Sequence, residues 1–179
     1  MGAAQATLVE RVSLEQLVDG SARIVQGRCV RTWSAWDATH QNIWTHSEIQ
    51  VTDALKGDAG QTVVVSELGG EVGDIGMRVE GMPQYEPGEE MILFLYQTPT
   101  GLWRARGLGQ GKFSVLRDPS AGTPRVRADL QSAAFTDPAA GASPKTPQGT
   151  DLRRLDGLTL DSFKTQVRAL VSRPAAAGK

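Results

Sequence analysis

The chain has little of most things that announce a chemistry. It holds one cysteine, Cys29, so no intrachain disulfide can staple it. Flanked by Arg28 and Val30 in an extended run, that thiol is expected to be a small buried hydrophobe. Nineteen basic residues stand against 20 acidic ones, a net charge of -1. That balance argues against a nucleic-acid partner, which asks for a basic excess to neutralise phosphates. Arg104 and Arg106 on one strand face make too small a basic patch to change this. No apolar run approaches the roughly 18–20 residues that cross a bilayer, so no membrane span is expected.

Histidine is nearly absent as well. His40 and His46 lie six residues apart, roughly 20 Å along an extended strand, too far to share a metal unless the chain folds back. Glu67, Glu71 and Asp74 sit among glycines, but not at the alternate positions of a calcium loop, and a mobile surface loop is the better expectation. Gly107-Leu108-Gly109-Gln110-Gly111-Lys112 has the wrong spacing for a phosphate loop and puts Phe113 where Ser or Thr is needed. A glycine-rich hairpin between two strands is expected there. Nothing in the sequence groups a nucleophile, a base and an orienting partner, so no catalytic residue, metal or cofactor is assigned and the chain is read as not an enzyme.

What the chain does have is strands. Runs at Ala22–Val25, Ile43–Leu55, Thr62–Glu67, Met91–Tyr96, Leu102–Leu108 and Lys112–Leu116 are separated by Gly, Pro and Asp clusters. In the second run Ile43, Thr45, Ser47, Ile49, Val51 and Leu55 share one face, the inward one. Trp44, His46, Glu48, Gln50 and Thr52 share the other. Met91–Tyr96 is apolar on both faces and must be covered on both. Gly27 interrupts the first strand, where a bulge would let it serve both halves of a coiled sheet.

Helices frame the strands. Ser13-Leu14-Glu15-Gln16 is a capping box that opens a short helix over Leu14–Val18, stopped by Asp19-Gly20. Thr159 can cap a second helix whose stripe is Leu160, Phe163, Val167, Leu170 and Val171, ended by Pro174. The organisation expected is a flexible start (1–12), a β domain (13–117), a Pro/Ala/Gly-rich linker (118–157), an amphipathic helix (158–173) and a disordered tail (174–179). Ala4-Gln5-Ala6 has the small-x-small form of a signal-peptidase site without an apolar run before it. A remnant of export-signal cleavage and a plain Ala-rich start fit it equally.

Three stretches carry a resemblance. Ser21–Val30, with its central Gly27, resembles a first OB-fold strand. Glu48–Asp58, with Leu55-Lys56-Gly57, is similar to the second strand and its exit. Tyr85–Leu95 is similar to a Gly-Glu turn leading into an apolar strand. In this order they resemble the netrin-like domain of the tissue inhibitors of metalloproteinases, and a group of exported, uncharacterised bacterial proteins. The resemblance covers about Leu14 to Asp118. It implies a mainly β fold: a single antiparallel OB-like β-barrel, with the short N-terminal helix and the C-terminal helix packed on it. It also implies a secreted or periplasmic, cell-envelope location and a secreted metalloprotease as partner. Those inhibitors are disulfide-rich and chelate zinc through an N-terminal cysteine, and this chain has neither feature. Any inhibition would therefore work by steric occlusion.

The residues expected to bind are Trp33, Trp36 and Trp44 of the hairpin joining the first two long strands, and Met77, Met82 and Tyr85 of the long Leu68–Glu86 loop. Together they could form one surface for a protein partner. Outward tryptophans also suit a carbohydrate or cell-envelope ligand, and equally they could close a barrel end or seat the C-terminal helix.

Overall fold

A computed structural model describes residues 11–120, 122–130 and 149–174. The expected flexible start up to residue 10, the middle of the linker and the tail beyond 174 lie outside the described residues. Among the described residues nine strands form: β1 (Arg23–Trp36), β2 (Ile43–Lys56), β3 (Thr62–Leu68), β4 (Gly70–Val72), β5 (Ile75–Met77), β6 (Glu90–Gln97), β7 (Trp103–Ala105), β8 (Lys112–Leu116) and β9 (Arg125–Ala128). Helices α1 (Leu14–Gly20) and α2 (Leu160–Val171) flank them, with 3-10 turns at Leu108–Gly111 and Leu152–Leu155. The former turn replaces the hairpin expected at the glycine run. Within the stretch 118–157, expected as a linker, lie β9 and the second of these turns.

The main sheet runs β1-β2-β3-β7-β6-β8-β9, and β1 also pairs with β6. Strands β1, β2, β3, β7 and β6 therefore close on themselves. The sheet is mixed, not wholly antiparallel as expected, because β3 meets β7 in parallel through Val65 and Trp103. A ring of five strands cannot alternate direction at every seam, so one seam has to be parallel. β1 can border both β2 and β6 because it bends at Gly27, where the register slips. A Cβ there would lie 2.6 Å from the Gln50 carbonyl oxygen, so any side chain would push the β1–β2 ribbon apart.

Two irregularities, one of them this slip at Gly27, correct the period-two reading of β2. Between the pairs Ile24↔Lys56 and Val25↔Ala54 one residue, Leu55, is extra, and between Gln26↔Asp53 and Gly27↔Val51 Thr52 is extra. Each bulge turns the following side chains over. Leu55 consequently joins the helix-side core and not the one containing Ile49.

Each side of β6 has its own core. Met91, Leu93 and Leu95 point into the ring with Val25, Cys29, Ile49, Val63 and Val65. Ile92 and Phe94 point outward beneath the helices, with Phe113, Leu14, Leu17 and Phe163. This is the double cover that the apolar run Met91–Tyr96 demands. Helix α1 starts on the capping box: Ser13 Oγ accepts from the Gln16 amide at 3.2 Å, and Gln16 Oε1 accepts from the Ser13 amide at 2.7 Å. Thr159 caps α2 through the Ser162 amide. Helix α2 is too short to persist alone, and docking holds it. Phe163 packs 4.7 Å from the Phe113 ring and edge-on to Phe94 at 6.4 Å. Lys164 and Arg168 then bind Asp53 along the rim.

Candidate functional site

The inward face of β3 runs Val63, Val65, Glu67, so the alternation that fills the ring with valines carries a carboxylate to its mouth. Glu67 is 4% exposed. Its Oε1 accepts from the Ala105 amide at 2.7 Å and its Oε2 from Arg104 Nε at 3.1 Å. Burial pushes its carboxyl above the usual glutamate range, although the Ala105 amide and the Arg104 charge pull the other way. The expectation that Glu67 belongs to a mobile loop is thus overturned, because it is the last inward residue of a core strand.

After Glu67 the chain must turn sharply. Gly69 and Gly70 have φ of 109° and 133°, backbone that side chains resist. A Cβ on Gly70 would also strike the hydroxyls of Thr45 and Ser34. The small β4–β5 hairpin then projects, turns at Gly73-Asp74, and returns as residues 78–85 across the mouth of the ring. This return is tied down at Gly81, whose carbonyl accepts from the Gly109 amide, and at Gln84, whose carbonyl accepts from Lys112 Nζ at 2.5 Å.

Between the hairpin, the return and the ring lies a cleft of about 890 Å³, lined among others by Glu67, Gly70, Glu71, Met77, Met82 and Tyr85. Of the loop residues singled out from sequence, Met77, Met82 and Tyr85 all line it. Tyr85 was expected at a surface, but its ring is 7% exposed and belongs to the ring interior. Tyrosine is largely apolar, and here its body fills the end of the core. Its hydroxyl is buried with no hydrogen-bond partner among the described residues. Burial first, then the Glu67 and Glu89 charges, holds its proton well above the ordinary tyrosine range. Lys112 Nζ lies 5.4 Å from the Tyr85 ring centre and 2.8 Å from Glu89 Oε1.

The tryptophans lie elsewhere. Thr45 lines the cleft, so Trp44 and His46, its neighbours on β2, face the other side of the ribbon. Trp33 is 38% exposed on that side, beneath Arg31 at 4.8 Å and 5.4 Å from the His46 ring. His46 Nδ1 pairs with Ser66 Oγ at 2.8 Å, and burial holds its pKa below the usual histidine value. Trp36 stacks on His40 at the hairpin tip, at 6.1 Å. Among the described residues that line the cleft none is a tryptophan, although Ser34 and Thr45 of the same hairpin abut Gly70 of the long loop. Helix α2 does not use the tryptophans as its seat either, since its aromatic contacts are Phe94 and Phe113.

The two histidines each meet a tryptophan, not one another. Among the described residues no group of three or more His, Cys, Asp or Glu side chains is placed to hold a metal ion. Cys29 is buried, and burial, reinforced by the Glu89 charge, raises its thiol pKa. No protein-family model matches the chain, and no curated protein matches it. No helix among the described residues is long and apolar enough to cross a membrane.

Sequence reasoning did not single out the ion pairs that build the cleft. The signal was present for Glu67, a charge in phase with two inward valines. Lys112, 4% exposed at the head of β8, gave no such signal, because its partners Glu89 and Asp129 come from remote segments.

Proposed function

We propose that this protein is a non-enzymatic binding module on an OB-like strand ring, recognising a protein partner through the cleft over the ring mouth. The carrying observation is how the cleft is made. Its buried carboxylate Glu67 is already engaged by Arg104 and Ala105, and Lys112, which holds the Gln84 carbonyl of the lining, by Glu89, so these charged groups build walls and do not stand ready to exchange protons. Its lining also includes the glycine backbone at Gly69, Gly70, Gly76 and Gly81 and the side chains of Met77 and Met82, and methionine adapts to an incoming chain. The five-stranded ring with one parallel seam supports the OB-like reading. The exported location and a secreted protease as partner continue to rest on the resemblance of Ser21–Val30, Glu48–Asp58 and Tyr85–Leu95. Inhibition would then mean blocking the protease cleft.

A second reading is favoured by Trp33, which is exposed on a sheet face carrying none of the helix-side core. A glycan or envelope polymer could stack there beside Arg31. One experiment separates the two. Secreted and envelope fractions are passed over immobilised wild type, Met77→Trp (cleft filled) and Trp33→Ala/Trp44→Ala. A protein retained by wild type and the tryptophan double variant, but not by Met77→Trp, supports the cleft. Retention lost only in the double variant supports the outer face. Equal retention by all three removes both.

A further inference from the structure

The lining of the cleft is unequal in charge. Among the described lining residues four carboxylates, Glu67, Glu71, Glu80 and Asp129, face one cation, Arg78. Glu67 is held by Arg104, Glu80 meets Arg78 at 3.5 Å, and Asp129 meets Lys112 at 3.7 Å. Glu71 has no ion pair among the described residues. A set of carboxylates alone says little, since such clusters are often merely solvated. Here a second, independent feature lies behind it. Tyr85 lines the same cleft with a side chain only 7% exposed, and among the described residues nothing bonds to its enclosed hydroxyl.

The chemistry of these groups specifies a complement. The Glu67 oxygens receive one backbone amide and one guanidinium, fewer donors than a carboxylate's roughly four lone-pair sites can take. A protonated phenol beside it can accept from an N–H as well. Together they call for a group rich in donors and poor in acceptors. The unpaired charge of Glu71 at the rim asks that this group be positive, and Met77 and Met82 offer soft apolar surface for an unbranched stem. A planar guanidinium carries five donors in a fork and can reach acceptors at separate places.

We propose that the cleft is a subsite for an arginine side chain presented by an exposed, extended segment of the partner protein. This deepens the cleft-binding proposal and rests on it. The guanidinium would pass between Met77 and Met82 towards Glu67 and Tyr85, with Glu71 at the entrance. Met82 is the movable part, since the bond its sulfur accepts from Arg104 Nη2, at 3.4 Å, is weak and its side chain is flexible.

The test uses the full chain labelled with nitrogen-15 and two blocked pentapeptides, alanine–glycine–arginine–glycine–alanine and its counterpart with neutral, nearly isosteric citrulline. The expected result is saturable movement of the Gly70, Gly76 and Gly81 amide signals by the arginine peptide in the millimolar range, about tenfold tighter than by the citrulline peptide. Glu71→Gln and Tyr85→Phe, which keep side-chain shape, should each weaken the arginine peptide several-fold and leave the citrulline peptide unchanged. Equal affinity for the two peptides, signal changes confined to the Trp33 face, or no saturation by either overturns the proposal. A partner lost from Met77→Trp in the retention experiment, together with equal peptide affinities, would leave the cleft reading standing and remove only the arginine.

Discussion

The Arg104 guanidinium lies 5.4 Å from the centre of the Trp44 ring and 3.1 Å from the Glu67 carboxylate, and so ties the outer face of the β2–β3 ribbon to the floor of the cleft. Breaking one partner of such a buried pair strands the other charge. Arg104→Gln should cost about 3 kcal/mol near neutral pH. Burial already raises the Glu67 pKa, and losing Arg104 raises it further. A raised folded-state pKa favours the fold below the unfolded value, 4.5, and that advantage is lost as pH rises through the folded value. The penalty should therefore shrink as pH is lowered towards 4.5. Urea unfolding of both proteins across this window checks it. A penalty that does not change with pH contradicts the account of Glu67.

Tyr85→Phe should not destabilise the protein. The hydroxyl is buried without a partner among the described residues, so the isosteric phenylalanine relieves a desolvation cost and stabilises by about 1 kcal/mol. A fall in the unfolding midpoint would mean that the hydroxyl is satisfied after all.

Helix α2 is held by its apolar stripe. Phe163→Ala removes a fully buried ring from the three-ring cluster and should cost about 3–5 kcal/mol. Faster hydrogen exchange at the α2 amides should accompany the loss. Unchanged exchange in α2 would show that the Lys164 and Arg168 contacts with Asp53 suffice.

These elements differ in how far sequence revealed them. Both helix starts were legible because capping is local, Ser13 with Gln16 and Thr159 with Ser162. The double cover of β6 was legible from its unbroken apolar run. The bulges at Thr52 and Leu55 were not, since they depend on how β2 meets β1 and not on β2 itself. Tyr85 was misread as a surface residue because its segment looks like a loop. Its burial arises only when that segment crosses the ring mouth. Lys112 and Glu89 are 23 positions apart and meet only in three dimensions.

The outer face should respond to pH. The His46 pKa is lowered by burial, so the unfolded chain takes up the proton more readily than the fold. Its contribution is fully present above the unfolded value, 6.5, and is lost as pH falls through the lowered folded value. His46→Gln should flatten the stability profile in that window, and an unflattened profile assigns the slope to other groups.

The central claim is that a partner enters the cleft over the ring mouth. Its most direct test is photo-crosslinking in the native extract, with a benzophenone amino acid placed in turn at Met77, Trp33 and Leu116. Met77 lines the cleft, whereas Trp33 and Leu116 are exposed elsewhere. A discrete heavier product from position 77, absent from the other two, is the result predicted. Products of equal yield from all three positions, or a product from position 33 alone, would contradict it.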